Sequence, residues 1–222
     1  MQVPNLADIS TLLIDMDGTL LDLNFDNYFW NHYLYRRYAE IHDVPDDEAR
    51  KHVGETLFRE QGNLNWYCTD HWSREFQVDI IALKREVTDL IRYRDGACQF
   101  LRQLKTIPIE VILVTNAHHD VIALKHEHTG LLDLLPDLVC SHDYGIPKER
   151  TMFWHQLTKD RNLDQSKAML IDDNISILEA AQQAGIAFQV GISKPDSRRT
   201  PATITHFPVI DDLSELTVEV VS

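Results

Sequence analysis

Short apolar runs recur along the chain, and helix-like patterns fill the gaps between them. The runs are Leu12–Ile14, Ile109–Val114, Leu138–Cys140, Ala168–Ile171 and Ile186–Val190. A continuous apolar run of this length reads as a strand buried on both faces, the kind a parallel sheet uses. A last short strand is expected near Phe207–Ile210. Ile175 to Ala184 carries a helical period: Ile175, Leu178 and Ala181 share a face, and Gly185 suits the C-terminal cap. Arg102–Lys105 closes another helix ahead of the second run. Strands alternating with helices predict an α/β fold with a mostly parallel sheet.

Residues 22–92 break this rhythm. They are dense in aromatic and charged residues, from Phe25, Tyr28, Phe29 and Trp30 to Trp66, Tyr67, Trp72 and Phe76. Their spacings suit helices, and the stretch is too long for a simple connection between two strands. It reads as a helical insert over the carboxyl ends of the strands, a lid that excludes water and selects substrate. The expected division is a core of residues 1–21 and 93–222 and a cap of residues 22–92, with Arg94-Asp95-Gly96 marking the return.

Composition narrows the partners. The chain has 222 residues, 44% hydrophobic and 25% charged, an ordinary balance for a globular protein with a full core. Its formal net charge of -14 repels nucleic acid backbones and anionic membranes. Polymeric nucleic acid and a membrane surface are therefore not the expected partners; a single nucleotide is compatible, provided its phosphate meets local positive charge. Cys68, Cys98 and Cys140 are far apart and form no disulfide framework, which suits a reducing cytoplasm. No signal peptide or membrane-spanning run is visible.

The candidate chemistry sits where the runs end. Asp15 and Asp17 follow the first run, Thr115-Asn116 the second, Lys148 the third and Asp172-Asp173 the fourth. Open α/β sheets bind ligands at this edge. Each feature alone has a plainer reading: a turn, a helix cap, a surface lysine. Their joint placement points to phosphoryl transfer. Asp15 is the candidate nucleophile, a carboxylate able to form an aspartyl-phosphate. Asp17 is placed to protonate the leaving oxygen and then to activate water. Mg²⁺ fits an oxygen-rich site: Asp15, the carbonyl of Asp17 and Asp173 as ligands, with Asp172 holding a metal-bound water. Thr115 and Asn116 offer donors to phosphate, Lys148 supplies positive charge, and the N–H groups of Met16–Gly18 are free to face a ligand.

With these residues in place, the sequence resembles the haloacid dehalogenase-like hydrolase superfamily. The matches are DMDGTL at 15–20, VTNA at 114–117, the lysine of IPKER at 148 and LIDDN at 170–174. The resemblance implies a Rossmann-like core with an inserted helical cap, Mg²⁺ as cofactor, and the roles just given for Asp15, Asp17, Thr115, Asn116 and Lys148. It favours Asp173 as the direct metal ligand. It departs from the family pattern at Ile177, where many relatives carry an acid, and at Asp172, often glycine. The likeness continues through KHEHTG and reaches into the insert through FDNYFW and LNWYC. There it implies a cytoplasmic phosphomonoesterase of purine 5′-nucleotides, GMP and IMP. Phe25, Tyr28, Phe29, Trp66 and Tyr67 are the rings expected to contact the base, and His118 lies near the phosphate end.

Other readings differ in class. The same chemistry serves a sugar phosphate or phosphoglycolate, or a phosphomutase. A dehalogenase also uses an aspartate nucleophile but has no need of Asp17 or the acidic pair. A regulatory phospho-acceptor module would place its acid pair before the acceptor strand, and a non-catalytic binding protein would have no use for all four elements. Of the 11 histidines, His119, His126 and His128 read as helix surface.

Overall fold

The computed structural model describes residues 3–201 and 204–216. Residues 1–2, 202–203 and 217–222, all within the expected core segments, lie outside the described residues. Among the described residues the sheet has six strands: β1 Thr11–Ile14, β2 Glu110–Thr115, β3 Leu138–Cys140, β4 Ala168–Asp172, β5 Phe188–Ile192 and β6 Val209–Ile210. Their order is β3-β2-β1-β4-β5-β6, and every adjacent pair is parallel. This is the α/β fold the apolar runs predict. β5 begins two residues later than its run suggests. Ile186 still donates to the carbonyl of Ala181, so the preceding helix cap consumes the first apolar positions.

Among the described residues, eleven α-helices accompany the sheet. Between β1 and β2 lie α1 Asn24–Tyr28, α2 Leu34–His42, α3 Asp46–Arg59, α4 Thr69–Phe76, α5 Ile80–Arg85 and α6 Ala97–Leu104. After β2 come α7 His119–Thr129 and α8 Leu131–Leu134; after β3, α9 Ser141–Tyr144 and α10 Thr151–Arg161; after β4, α11 Ile175–Gln183. α6 buries Ala97, Phe100, Leu101 and Leu104, the spacing of one helical face. α11 starts on Asn174, whose side chain accepts from the Ser176 amide.

Among the described residues, three apolar clusters form the interior. One packs Leu12, Ile14, Phe100 and Met169, and a second packs Leu13, Ile112, Trp154 and Leu170, so alternate residues of β1 and β4 feed different cores. The third is built from the helices between residues 24 and 91, with Phe25, Phe29, Trp72 and Phe76 at its centre and Leu124 of α7 joining from outside. The chain crosses toward and away from these helices side by side. Asp22 donates its amide to the Arg92 carbonyl, Arg94 donates to the Leu20 carbonyl, and the Arg92 guanidinium grips the Asp22 carboxylate at 2.8–2.9 Å.

Candidate active site

The central strands set the geometry. In register, Ile14 of β1 lies between Leu113 of β2 and Ile171 of β4. The residues just beyond therefore converge at one edge of the sheet: Asp15, Thr115 and Asp172. The Asp15 amide donates to the Ile171 carbonyl at 3.0 Å, which fixes its side chain beside β4.

Lys148, in the loop before α10, closes this cluster from below. It is 1% exposed. Its ammonium donates to Asp15 Oδ1 at 2.5 Å, Asp172 Oδ2 at 2.7 Å and the Val114 carbonyl at 2.8 Å, so all three of its protons are placed. Burial works against its charge, but Asp15 and Asp172 outweigh that and raise its pKa. The loop is held in turn by Asn116, whose Oδ1 accepts from the Lys148 amide at 2.9 Å and whose Nδ2 donates to Glu149 at 3.0 Å. Thr115 Oγ1 accepts from the Ala117 amide at 3.0 Å and keeps its own proton for donation.

Asp15, Asp172 and Asp173 each bring a carboxylate oxygen within 4.8 Å of the others. Three acids face one lysine, so two negative charges lack a counter-charge. Burial pushes Asp15 up to about 7 and raises Asp172 and Asp173 as well, Asp173 well above the ordinary range. A divalent cation would supply the missing charge, and an all-oxygen set would suit Mg²⁺. Gly18, at φ +86°, makes room: a Cβ there would fall 2.6 Å from the Asp173 carboxylate. The two adjacent acids differ. Asp172 spends its oxygens on Lys148 and on the Asn174 amide at 2.9 Å, whereas Asp173 packs against Gly18.

Asp17 belongs to a second network. Its Oδ1 takes a hydrogen bond of 2.5 Å from Lys125 of α7, which also donates to Asp26 of α1 at 2.6 Å. Asp26 then accepts from Lys84 of α5 at 2.8 Å. Lys84 and Lys125 are each 1% exposed, and Lys84 lies 4.5–5.2 Å from the ring centres of Phe25, Phe29 and Trp30. Burial pushes Asp17 up to about 6 against the pull of Lys125. Burial acts on Asp26 too, but Lys125 and Lys84 overcome it and hold Asp26 far below the usual carboxylate range.

Above both networks lies a cavity of about 540 Å³, lined by Asp15, Asp17, Thr115, Lys148 and Asp173 from the sheet edge and by Trp30, Tyr35, Phe58, Trp66 and Tyr67 from the inserted helices.

Comparison with known proteins agrees with this geometry. The haloacid dehalogenase-like hydrolase pattern matches residues 12–190, which contain every residue named at the sheet edge. The chain belongs to the haloacid dehalogenase-like hydrolase family. It is 38% identical over 209 residues to the GMP/IMP nucleotidase YrfG of Escherichia coli (strain K12), covering 94% of each chain. It is 26% identical over 187 residues to the validoxylamine A 7′-phosphate phosphatase of Streptomyces hygroscopicus subsp. limoneus, covering 82% of this chain and 84% of that one. In fold it matches the crystal structure of a phosphatase of this family from Thermococcus onnurineus, at a TM-score of 0.75 and 20% identity over 94% of this chain and 96% of that one.

In this haloacid dehalogenase-like hydrolase, the structure brings together Asp15, Thr115, Asn116, Lys148, Asp172 and Asp173, and sets Asp17 beside them. The Asp17 carboxylate bonds Lys125 and stands outside the three-acid group. Asp172 accepts one hydrogen bond on each oxygen, from Lys148 and from the Asn174 amide, and stays within the three-acid group. Two sequence expectations are corrected. The Asn116 side chain clamps the Lys148 loop, which limits it as a phosphate donor. The Gly18 amide is occupied by the Leu21 carbonyl at 2.8 Å.

Of the five rings expected at the base, only Trp66 and Tyr67 line the cavity. Phe25 and Phe29 are 1% and 0% exposed and form the core of the inserted helices. Tyr28 faces a separate surface hollow with His32 and Arg36. The Tyr67 hydroxyl donates to Glu149 at 2.5 Å; burial and that carboxylate raise its pKa, so it stays a phenol. His118 does line the cavity, and its Nδ1 sits 2.8 Å from Thr69 Oγ1. Sequence reasoning missed Lys125, Asp26 and Lys84, and the cavity rings Trp30, Tyr35 and Phe58. KHEHTG and FDNYFW contain Lys125 and Asp26, but only as parts of a likeness.

Proposed function

We propose that this enzyme hydrolyses purine 5′-nucleotides, GMP and IMP foremost, with Mg²⁺ and through an aspartyl-phosphate on Asp15. The class, phosphoric monoester hydrolase, follows from the family and its relatives. The finer reading is carried by one observation: a 38% identity that covers 94% of each chain and so includes the inserted helices, where substrate is selected. The cavity supports it, since rings able to stack on a base share its lining with the phosphate-handling groups. We read residues 1–21 and 93–222 as the catalytic core and residues 22–92 as the cap, working in the cytoplasm.

Asp15, Asp173 and the carbonyl of Asp17 would hold Mg²⁺, which when bound offsets repulsion between the anionic nucleophile and the phosphate. An Asp15 oxygen attacks phosphorus in line, and the bond to the 5′ oxygen breaks. Asp17 gives its proton to that leaving oxygen. With the nucleoside gone, Asp17 takes a proton from water, whose oxygen attacks phosphorus and breaks the bond to Asp15, releasing inorganic phosphate. A pKa of about 6 at Asp17 suits a group that both gives and takes a proton near neutrality. Lys148 and the Thr115 hydroxyl are placed for the phosphoryl oxygens. Tyr67 and Asn116 hold Glu149 and the Lys148 loop in place.

A sugar phosphate is the second reading, favoured by the 26% identical Streptomyces relative that acts on validoxylamine A 7′-phosphate. A panel of monophosphates assayed for phosphate release with Mg²⁺, after chelation, and after Mg²⁺ is restored tests both. Release led by GMP and IMP and dependent on the metal supports the first reading. A panel led by a sugar phosphate overturns it, and transfer of phosphate to another substrate oxygen without release points to a mutase.

A further inference from the structure

A second cluster of metal-type donors lies beside the cavity and takes no part in the chemistry above. Cys68, His118 and His142 each bring a ligand atom within 4.8 Å of the others. They come from three separate segments. Cys68 caps the start of α4 in the inserted helices, His118 caps α7 after β2, and His142 lies in the first turn of α9 after β3. The rings of His118 and His142 meet edge to face, with centres 5.0 Å apart. His142 Nε2 is buried and has no hydrogen-bond partner among the described residues. A buried imidazole nitrogen left unpaired is costly and uncommon, and a bound ion is one of the few things that explains it.

We propose that Cys68, His118 and His142 form a binding site for one zinc-class divalent cation at the seam between the inserted helices and the sheet. One thiolate and two imidazoles are a nitrogen and sulfur set, which suits Zn²⁺ and not the Mg²⁺ that the carboxylate centre favours. Three protein ligands leave a fourth position for water. Asp120 approaches His118 Nδ1 at 3.3 Å and Asp70 approaches its Nε2 at 3.9 Å, adding negative charge at the rim. Zinc bonds of about 2.0–2.3 Å draw the three donors closer than they now stand. His118 then turns from Thr69 Oγ1, its present partner. Binding pins the Cys68–Thr69 segment to the starts of α7 and α9. His118 and Thr69 both line the cavity, so occupancy alters its mouth.

The test reads the metal, not turnover. The reduced full-length protein is titrated with Zn²⁺ against a chromophoric chelator, and with Co²⁺ as a spectroscopic substitute. The proposal expects one tight zinc equivalent, a thiolate-to-cobalt charge-transfer band, and a Tm that rises with zinc. Cys68→Ser and His142→Gln each weaken zinc binding by more than about tenfold and abolish the rise in Tm, while Asp173→Asn keeps the tight site. If the wild type shows no charge-transfer band, the proposal fails, whether or not the variants fold. It fails equally if Asp173→Asn loses the zinc and Cys68→Ser retains it, since the ion then belongs to the carboxylate centre.

Discussion

Two buried lysines, each between two aspartates, flank the turn from Asp15 to Gly18, and they are built differently. Lys148 joins Asp15 to Asp172 wholly within the sheet edge, with a strand carbonyl as its third acceptor. Lys125 joins Asp17 to Asp26, and Asp26 reaches on to Lys84, so that network runs from the core into the inserted helices. Asp15 is thus held within the sheet edge, and Asp17 by a lysine of α7 whose other partner, Asp26, lies in the inserted helices.

Breaking the sheet-edge cluster has the largest expected effect. Lys148→Met leaves Asp15 and Asp172 without their counter-charge; kcat falls on the order of 1,000-fold and urea unfolding shows a loss of about 3–5 kcal/mol. Unchanged turnover would reduce Lys148 to a structural role. Next comes Phe29→Ala, which opens a cavity under Lys84 and costs about 3–5 kcal/mol of stability while leaving KM for GMP unchanged. A raised KM with intact stability would return Phe29 to the substrate surface.

The second network is separated by a pair of variants. Lys125→Met removes the partner of Asp17 and lowers kcat by about 10- to 100-fold. Asp26→Asn keeps the contact between Lys125 and Asp17, so its kcat stays within about threefold although the protein is less stable. Equal losses of kcat in both would mean that the link to the insert, not the lysine beside Asp17, sets the rate. The smallest effect belongs to Trp66→Ala: kcat/KM for GMP drops by about tenfold, and that for a small sugar phosphate hardly moves. Matching losses on both substrates would rule out stacking at Trp66.

The sheet edge was legible in sequence because buried parallel strands announce themselves as apolar runs, and polar residues just after such runs have few other reasons to be there. Asp15, Thr115, Asp172 and Asp173 follow that rule, whereas Lys148 stands beyond α9 and was found through the family likeness. Lys125 and Lys84 do not. Each sits on a helix among charged neighbours and reads as surface; its burial is explained by three-dimensional partners, Asp26 for both and Asp17 for Lys125. The aromatic insert failed for another reason. Phe25 and Phe29 lie one helical turn apart on one face, Asp26 and Trp30 on the adjoining face. Both faces carry rings, so periodicity alone did not say which one meets the cavity. The division of labour between Asp172 and Asp173 likewise depended on where Lys148 ends.

The central claim is that Asp15 accepts the phosphoryl group. The most direct measurement is an acid quench of turnover on phosphate-labelled GMP with Mg²⁺, using Asp17→Asn to slow release and mapping the label by mass spectrometry after hydroxylamine treatment. The account predicts a hydroxylamine-labile label on Asp15, absent from Asp15→Asn, which also loses turnover. A label on another residue, or Asp15→Asn turning over at the wild-type rate, would contradict it.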